Sequence, residues 1–408
     1  MRVPALVLSV LLLVGACDSA PQAGMTVGGA GPGVITPADP GFIIGTDFGR
    51  DDRLAAAVLL DLRGFWSERF HTVFGKAWPG LPNAYSVNSD APARQATPCA
   101  GYSDALAGNA FYCAEADAIA WDRAALLPAL REKFGEAAIV LVLAHEYGHA
   151  VQEHAGLRPD SVLVSEVMAD CFAGTLLGEA LAGRTAHLRL RPAQLDHALA
   201  ALTVFRDPVG SGRAPEHGSA FDRITAVLTG VDRGPAACAG MTSAGLVTED
   251  LADRENRPTL SVERMIDAAA ADSADFLRTV APAGWRPPAV RKAGGRPCGD
   301  AAVIYCAGND TVTVDTGEEL STRHRVIGDF ATAVAVGRAE ATATHAGDDL
   351  CLTGAWLGRR LAGPGPTLRL GPGDLDEAVI QVLRSAGAQG VRTLATGVTR
   401  GATACRTQ

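Results

Sequence analysis

The feature that most constrains this chain is a frame of cysteines that occurs twice in the same order. Eight of the nine cysteines belong to it, four in each copy: Cys99, Cys113, Cys171 and Cys238, then Cys298, Cys306, Cys351 and Cys405. The flanking sequence recurs as well, since YCAEAD at 112–117 matches YCAGND at 305–310, and LRLRP at 188–192 matches LRLGP at 368–372. An ordered recurrence of this kind predicts two copies of one domain.

The repeat also limits how the cysteines can pair, which spacing alone does not. The simplest set of disulfides that obeys it is Cys99–Cys113 with Cys298–Cys306, and Cys171–Cys238 with Cys351–Cys405. The last two close long loops, each of which chain-entropy models value at about 4 kcal/mol. We therefore expect a fold stabilised by disulfides in both copies.

The predicted organisation is a domain at 46–240, a linker at 241–254 and a second copy at 255–408. Each copy is expected to open with an amphipathic helix, at 51–70 and at 261–280, in a mainly α fold with a minor α+β part. The 408 residues, 48% hydrophobic and 20% charged, exclude a disordered or collagen-like chain. A net charge of -9 argues against nucleic acid as a partner.

The N-terminus predicts export. Residues 1–16 carry one basic residue and an apolar run that is too short for a transmembrane helix, which needs about 20 apolar residues. VGAC at 14–17 resembles the lipobox of bacterial lipoproteins, so Cys17 is predicted to carry a lipid on the outer face of the bacterial membrane. The Gly- and Pro-rich residues 17–45 are expected to form a flexible tether.

A potential metal site follows an apolar stretch in the first copy. His145 and His149 are four residues apart, so a helix places both imidazoles on one face, where they can share one ion. Glu146 is then placed to act as a general base toward water. On the next predicted helix, Glu166 can complete a His2Glu set, and Asp170 can fix the tautomer of a ligating histidine.

The second copy lacks these residues. Its register places Arg338, Ala339 and Thr342 opposite His145, Glu146 and His149, and Leu350 opposite Asp170. The second domain is therefore predicted to be a degenerate copy without metal or catalysis, serving as a scaffold, a surface that recruits substrate, or an inhibitor.

The segments HEYGHAVQ at 145–152 and SEVMADCFAG at 165–174 resemble the neutral zinc metallopeptidase family of bacteria. The resemblance spans about 50–240 and implies a gluzincin-like, zincin-type helical domain. It implies that one Zn²⁺ per chain is bound by His145, His149 and Glu166, with Glu146 as the catalytic base. The chain departs from the family pattern in having Val167-Met168 after Glu166.

The family also has a T-H-G-S-x-x-x-R segment, which His217-Gly218-Ser219 and Arg223 resemble, although Glu216 stands where the family has Thr. His217 is a candidate donor to a transition-state oxyanion, with a structural role in a turn as the alternative. Tyr147 is expected to pack away from the ligands. Three other histidines are expected to be solvated: His154, His187 and His197.

These features predict a membrane-anchored zinc metallopeptidase that hydrolyses peptide or protein substrates outside the cytoplasm. Two alternatives remain open. One is a non-enzymatic binding or structural lipoprotein of the cell envelope, in which a metal only stabilises the fold. The other is a metal-dependent amidase that acts on cell-wall material.

Overall fold

The computed structural model describes residues 35–93, 95–212, 216–248, 257, 259–371 and 373–406. They form two compact units. The first comprises the described residues up to Ala201 together with Ala226–Ser243, and the second comprises Leu202–Thr225 and the described residues from Ala244 onward. The segment Leu202–Thr225, which lies within the predicted first domain, thus groups with the second unit. The predicted signal segment and Cys17 lie outside the described residues.

The fold is mainly helical, as predicted. Up to residue 243 the helices, in chain order, are α1 (Arg50–Phe74), α2 (Leu126–Phe134), α3 (Glu136–Ala155), α4 (Val162–Leu181), α5 (Pro192–Leu202), α6 (Ala220–Arg233) and α7 (Pro235–Ala239). The strands are β1 (Asn83–Val87), β2 (Ala96–Thr97), β3 (Gly101–Tyr102), β4 (Ala110–Cys113) and β5 (Ala118–Asp122). Helix α1 confirms the predicted opening helix and extends it by a few residues at its C-terminal end.

A three-stranded sheet of order β1-β5-β4 lies in the first unit. Strand β1 runs parallel to β5, with Asn83 opposite Ala118, and β4 runs antiparallel to it, with Phe111 opposite Ala120. Every residue of β5 is buried because it lies between the two other strands and under helices. Within the described residues, β4 is an edge strand of this sheet.

Helix α3 is the central element of the first unit. It contacts α1, α2 and α4 and also the strands β4 and β5, which explains why its residues 137–141 are apolar and buried on all sides. Gly148 allows the close crossing of α3 and α4, since a Cβ there would lie 2.8 Å from the carbonyl oxygen of Ala169.

The second unit contains α8 (Val262–Leu277), α9 (Glu318–Val326), α10 (Phe330–Thr344), α11 (Asp349–Ala362) and α12 (Asp374–Arg400), and the strands β6 (Ala289–Ala293), β7 (Val303–Cys306) and β8 (Thr311–Asp315). Its sheet has the order β6-β8-β7, with β6 parallel and β7 antiparallel to β8. Helix α10 contacts α8, α11 and α12 and the strand β7. Helix α8 confirms the second predicted opening helix.

In each unit, a glycine lets two helices cross closely. A Cβ at Gly230 of α6 would lie 1.9 Å from the carbonyl oxygen of Cys171 in α4. A Cβ at Gly397 of α12 would likewise lie 1.9 Å from the carbonyl oxygen of Cys351 in α11. Each crossing therefore excludes any larger residue at that point and lies beside a disulfide.

The four predicted disulfides are confirmed. The Cα–Cα distances are 5.9 Å for Cys99–Cys113, 5.4 Å for Cys171–Cys238, 5.8 Å for Cys298–Cys306 and 5.3 Å for Cys351–Cys405. All lie within the range typical of disulfides. In each unit, one disulfide links the segment before an edge strand to the last residue of that strand, β4 or β7. The other disulfide links the helix after the central helix, α4 or α11, to a cysteine later in the chain.

No helix in the described part of the chain combines the length and the apolar character needed to cross a membrane.

Candidate metal centre

Helices α3 and α4 bring three potential ligands together. The Nε2 atoms of His145 and His149 lie 3.2 Å apart, because the two residues are one turn apart on the same face of α3. The carboxylate of Glu166 faces both rings, with Oε2 3.4 Å from His145 Nε2 and Oε1 3.3 Å from His149 Nε2. One ligand atom from each of the three residues lies within 4.8 Å of the others. The structure thus brings together the three residues predicted as ligands.

The spacing of these atoms fits a tetrahedral zinc ion. Ligands at the usual zinc distances of about 2.0–2.1 Å from the metal are separated from one another by about 3.3–3.4 Å in a tetrahedron. The 3.2 Å between the two Nε2 atoms is close to this value, and each ring nitrogen lies 3.3–3.4 Å from one oxygen of Glu166, Oε1 for His149 and Oε2 for His145. In addition, Glu166 Oε2 is buried and has no hydrogen-bond partner, which is costly unless a cation satisfies it. The donor set therefore fits Zn²⁺.

Asp170 orients the first histidine. It lies one turn after Glu166 in α4, is fully buried, and its Oδ1 is 2.8 Å from His145 Nδ1. A carboxylate accepts a hydrogen bond from the Nδ1–H, so Nε2 is the nitrogen of His145 that faces the cluster and that can bind a metal once it has lost its proton. This is the tautomer that a metal ligand requires.

The charges of the cluster favour a cation. Burial by itself lowers the pKa of His145, but the carboxylates of Asp170 and Glu166 outweigh it and raise this pKa to about 10. Burial raises the pKa of Glu166, yet contacts with the two histidines outweigh it and hold that pKa well below its usual range. Carboxylates that favour a proton at this position also favour a metal ion.

Glu146 lies beside the ligands and is held by the edge of the sheet. Its Oε2 accepts a hydrogen bond of 3.0 Å from the backbone N–H of Tyr112 in β4. Burial raises the pKa of the Glu146 carboxyl, and the neighbouring imidazoles lower it in part. A buried carboxylate next to a potential metal site is suited to act as a general base.

A hydrogen-bond network next to Glu146 was not predicted from the sequence. The hydroxyl of Tyr112 donates to Asp117 Oδ1 at 2.9 Å, and His154 Nε2 lies 3.0 Å from the same oxygen. His154 also packs against Trp78. The expectation that His154 is solvated is therefore wrong. The sequence did not predict this contact, because Asp117 lies 37 residues away and its position depends on the turn between two strands.

Tyr147, His187 and His197 lie in different environments. Tyr147 is 2% exposed and packs against Trp78, which confirms the predicted packing role. His187 is only partly exposed and its Nδ1 lies 2.8 Å from Asp61 Oδ1, so the expectation that it is solvated is wrong. His197 is exposed, as expected.

His217 belongs to the segment Leu202–Thr225 of the second unit. Its backbone N–H donates to Asp207 Oδ1 at 3.0 Å, and its ring Nδ1 lies 3.6 Å from the same oxygen. Burial raises the pKa of Asp207, but hydrogen bonds from His217 and from the N–H of Gly218 outweigh it and lower that pKa. These contacts give His217 a structural role in its turn, and the predicted role as an oxyanion donor stays a prediction.

A second acidic cluster lies in the second unit, formed by Asp329, Asp374 and Glu377. The guanidinium of Arg257 donates to Asp329 at 2.6 and 2.8 Å and to Asp374 at 2.8 Å. Because the protein supplies its own cation here, we do not assign this cluster as a metal site.

In the second unit, the positions that the predicted repeat places opposite the ligands carry different side chains. Arg338 Nε lies 3.1 Å from Asp349 Oδ1, and the hydroxyl of Thr342 donates to Asp349 Oδ2 at 2.9 Å. The guanidinium of Arg338 thus takes the position that the repeat aligns with His145. Ala339, opposite Glu146, has no group that could act as a base.

In comparisons with known proteins, the chain matches no family model, no curated protein and no solved structure. The relation to zinc metallopeptidases therefore stays a prediction from the motif residues of α3 and α4.

Proposed function

We propose that the protein is a zinc-dependent metallopeptidase that acts outside the cytoplasm. The observation that carries this proposal is the convergence of two imidazole Nε2 atoms and one carboxylate within 3.2–3.4 Å of one another, directly beside the buried Glu146. Three protein ligands leave a fourth position open, as in catalytic zinc sites, whereas structural sites are closed by four. A structural site would also have no use for a carboxylate at Glu146, so the chemistry favours catalysis.

The protein's own residues would have separate tasks in hydrolysis. His145, His149 and Glu166 would hold Zn²⁺, which when bound supplies a Lewis acid that polarises a carbonyl and makes water more acidic. Glu146 would take the proton of the attacking water and pass it to the leaving amine. The N–H of Tyr112 fixes the Glu146 carboxylate for this task, and Asp170 keeps His145 in the required tautomer.

We further propose that the fold is a zincin-like domain duplicated in tandem, with a degenerate second copy. Support comes from the equal strand order and direction of the two sheets and from the central helices α3 and α10 beside their edge strands. The Tyr112–Asp117 hydrogen bond has a counterpart in Tyr305–Asp310, each of 2.9 Å. Both aspartates have a left-handed backbone, with φ of 46° and 50°.

The proposed location is the outer face of the bacterial membrane, with a lipid at Cys17. The four disulfides support a site outside the cytoplasm, because such bonds persist in oxidising compartments. The proposed lipid attachment is supported by the VGAC sequence at 14–17. Mass spectrometry of the membrane-bound protein tests it, since a diacylated N-terminal cysteine has a characteristic mass.

The function is tested by incubating the zinc-loaded protein with unfolded casein and, separately, with purified cell-wall fragments. We expect cleavage of casein that a chelator abolishes and added zinc restores, and no cleavage by the Glu146→Gln variant although it retains zinc. Cleavage of wall fragments alone would indicate the amidase. A zinc-loaded protein that cleaves neither would support the non-enzymatic binding lipoprotein.

A further inference from the structure

A cavity of about 310 Å³ lies in the second unit, between the edge strand β7 and the helices α10 and α12. Its wall includes Val303 and Tyr305 of β7, Arg338 and Thr342 of α10, and Gln381 of α12. All the residues that line it belong to the second unit. It thus occupies the place beside β7 and α10 that the metal cluster occupies beside β4 and α3.

Strand β7 presents unpaired backbone groups toward this cavity. Asp315 donates its N–H to the carbonyl of Ala302 at 2.7 Å, which makes these two residues a hydrogen-bonded pair of the antiparallel ladder. Such pairs alternate, so the N–H and C=O groups of Val303 and Tyr305 point away from β8. The same alternation in the first unit turns Tyr112 outward, where its N–H reaches Glu146.

The far side of the cavity offers a buried acceptor without a donor. Gln381 is 6% exposed, and its Oε1 has no hydrogen-bond partner. A buried carbonyl oxygen left in this state costs free energy, so a ligand that brings an N–H group would gain from filling the cavity. A peptide amide supplies such a group.

The polar groups on α10 would bind a ligand without cleaving it. Arg338 and Thr342 are both held by Asp349, which gives this wall a fixed pattern of charge and hydrogen-bonding groups. Ala339 provides no base at the position opposite Glu146. The cavity therefore combines an open strand edge with polar anchors, and its one carboxylate, Asp349, is held by Arg338 and Thr342.

We propose that this cavity binds an extended segment of polypeptide, which adds a strand to the free edge of β7 and places a backbone amide within reach of Gln381. Pairing with an exposed strand edge is a common mode of peptide recognition, in which backbone hydrogen bonds provide affinity and little sequence is read. The second unit would thus hold a polypeptide without cleaving it. The proposal goes beyond the peptidase activity and does not depend on it.

The test uses the full chain with Glu146→Gln, so that peptides stay intact, and a mixture of random-sequence octapeptides blocked at both ends. Hydrogen–deuterium exchange at single-amide resolution locates binding. We expect the peptides to slow exchange at the Val303 and Tyr305 amides. The same mixture, labelled with fluorescein, gives an apparent Kd by fluorescence anisotropy.

Two variants decide the outcome. Val303→Pro removes an outward N–H and leaves the ladder to β8 intact, since proline is tolerated at a sheet edge. Gln381→Leu removes the buried acceptor. Each should weaken binding about fivefold, the effect of one hydrogen bond, and reduce the protection at Tyr305.

Unchanged exchange at β7 in the presence of peptides, or equal affinity of both variants and the parent, would overturn the proposal. Should Val303→Pro fail to fold, Gln381→Leu decides alone. Because exchange is read in the second unit, an absence of peptidase activity in the first would leave this result intact.

Discussion

Gly148 offers a test of the idea that the crossing of α3 and α4 sets the metal geometry. In a Gly148→Ala variant, the new Cβ would lie 2.8 Å from the carbonyl oxygen and 2.9 Å from the Cα of Ala169. Ordinary contacts begin near 3.4 Å, so the helices must separate by about 0.6 Å at this point. Overpacking of this kind typically costs about 1–3 kcal/mol of stability.

The separation would reach the ligands directly. Gly148 adjoins His149, and Ala169 lies one turn from Glu166, whose carboxylate is 3.3 Å from the His149 ring nitrogen. Because zinc sites tolerate deviations of only about 0.2 Å in their bond lengths, a shift of this size disturbs the site. We expect zinc affinity to fall by about 10–100-fold, as it does when the support of a zinc ligand is lost.

The assay is competition for zinc between the protein and a chromogenic chelator, together with thermal unfolding of the zinc-free protein. Gly64→Ala is the matched control, because Gly64 is also helical and a Cβ there would meet nothing within 4 Å. It should bind zinc like the parent and gain about 0.5–1 kcal/mol of stability. If Gly148→Ala bound zinc as tightly as the control, the crossing of α3 and α4 would not determine the site.

Three further predictions concern other parts of the molecule. Asp170→Asn removes the charged acceptor at His145 Nδ1 and should lower zinc affinity about 10–100-fold in the same competition assay; an unchanged affinity would exclude this role for Asp170. Replacing Cys171 and Cys238 together by Ser opens a loop of 67 residues. It should lower the free energy of unfolding, measured in urea, by about 2–4 kcal/mol. An unchanged urea midpoint would contradict this prediction. Burial raises the pKa of Glu340 to about 7, so the folded state keeps a proton that the unfolded state releases above about pH 4.5. The free energy of unfolding should therefore fall as the pH rises from 5 to 8. In Glu340→Gln, whose side chain cannot ionise, this fall should be smaller by up to about 3 kcal/mol. Thermal unfolding of the parent and the variant across this pH range measures the difference, and the same pH dependence in both would refute the prediction.

Local periodicity explains which parts of the site could be predicted from the sequence. A helix fixes the relative positions of residues one turn apart, so the pairing of His145 with His149 and of Glu166 with Asp170 followed from spacing alone. The disulfides followed from the repeat, since each pair had to occur in both copies. The distance between α3 and α4 did not follow from spacing, because it depends on the close crossing of the two helices at Gly148.

Contacts set by strand register or by turns could not be predicted. The N–H of Tyr112 reaches Glu146 because Tyr112 is an outward residue of β4, and a shift of one residue would turn it toward β5. Asp117 accepts from both Tyr112 and His154 because its left-handed backbone closes the turn between β4 and β5. The recurrence of a tyrosine and an aspartate at this spacing in both copies indicated a role in the fold, but not its partner His154.

We propose that His145, His149 and Glu166 bind one zinc ion. Elemental analysis after zinc loading and gel filtration tests it on three proteins: the parent chain, Glu166→Ala, and Glu153→Ala as a control in which an exposed acid of α3 is removed. We expect one equivalent of zinc in the parent and the control and much less in Glu166→Ala. A parent that retains no zinc, or equal zinc in all three proteins, would contradict it.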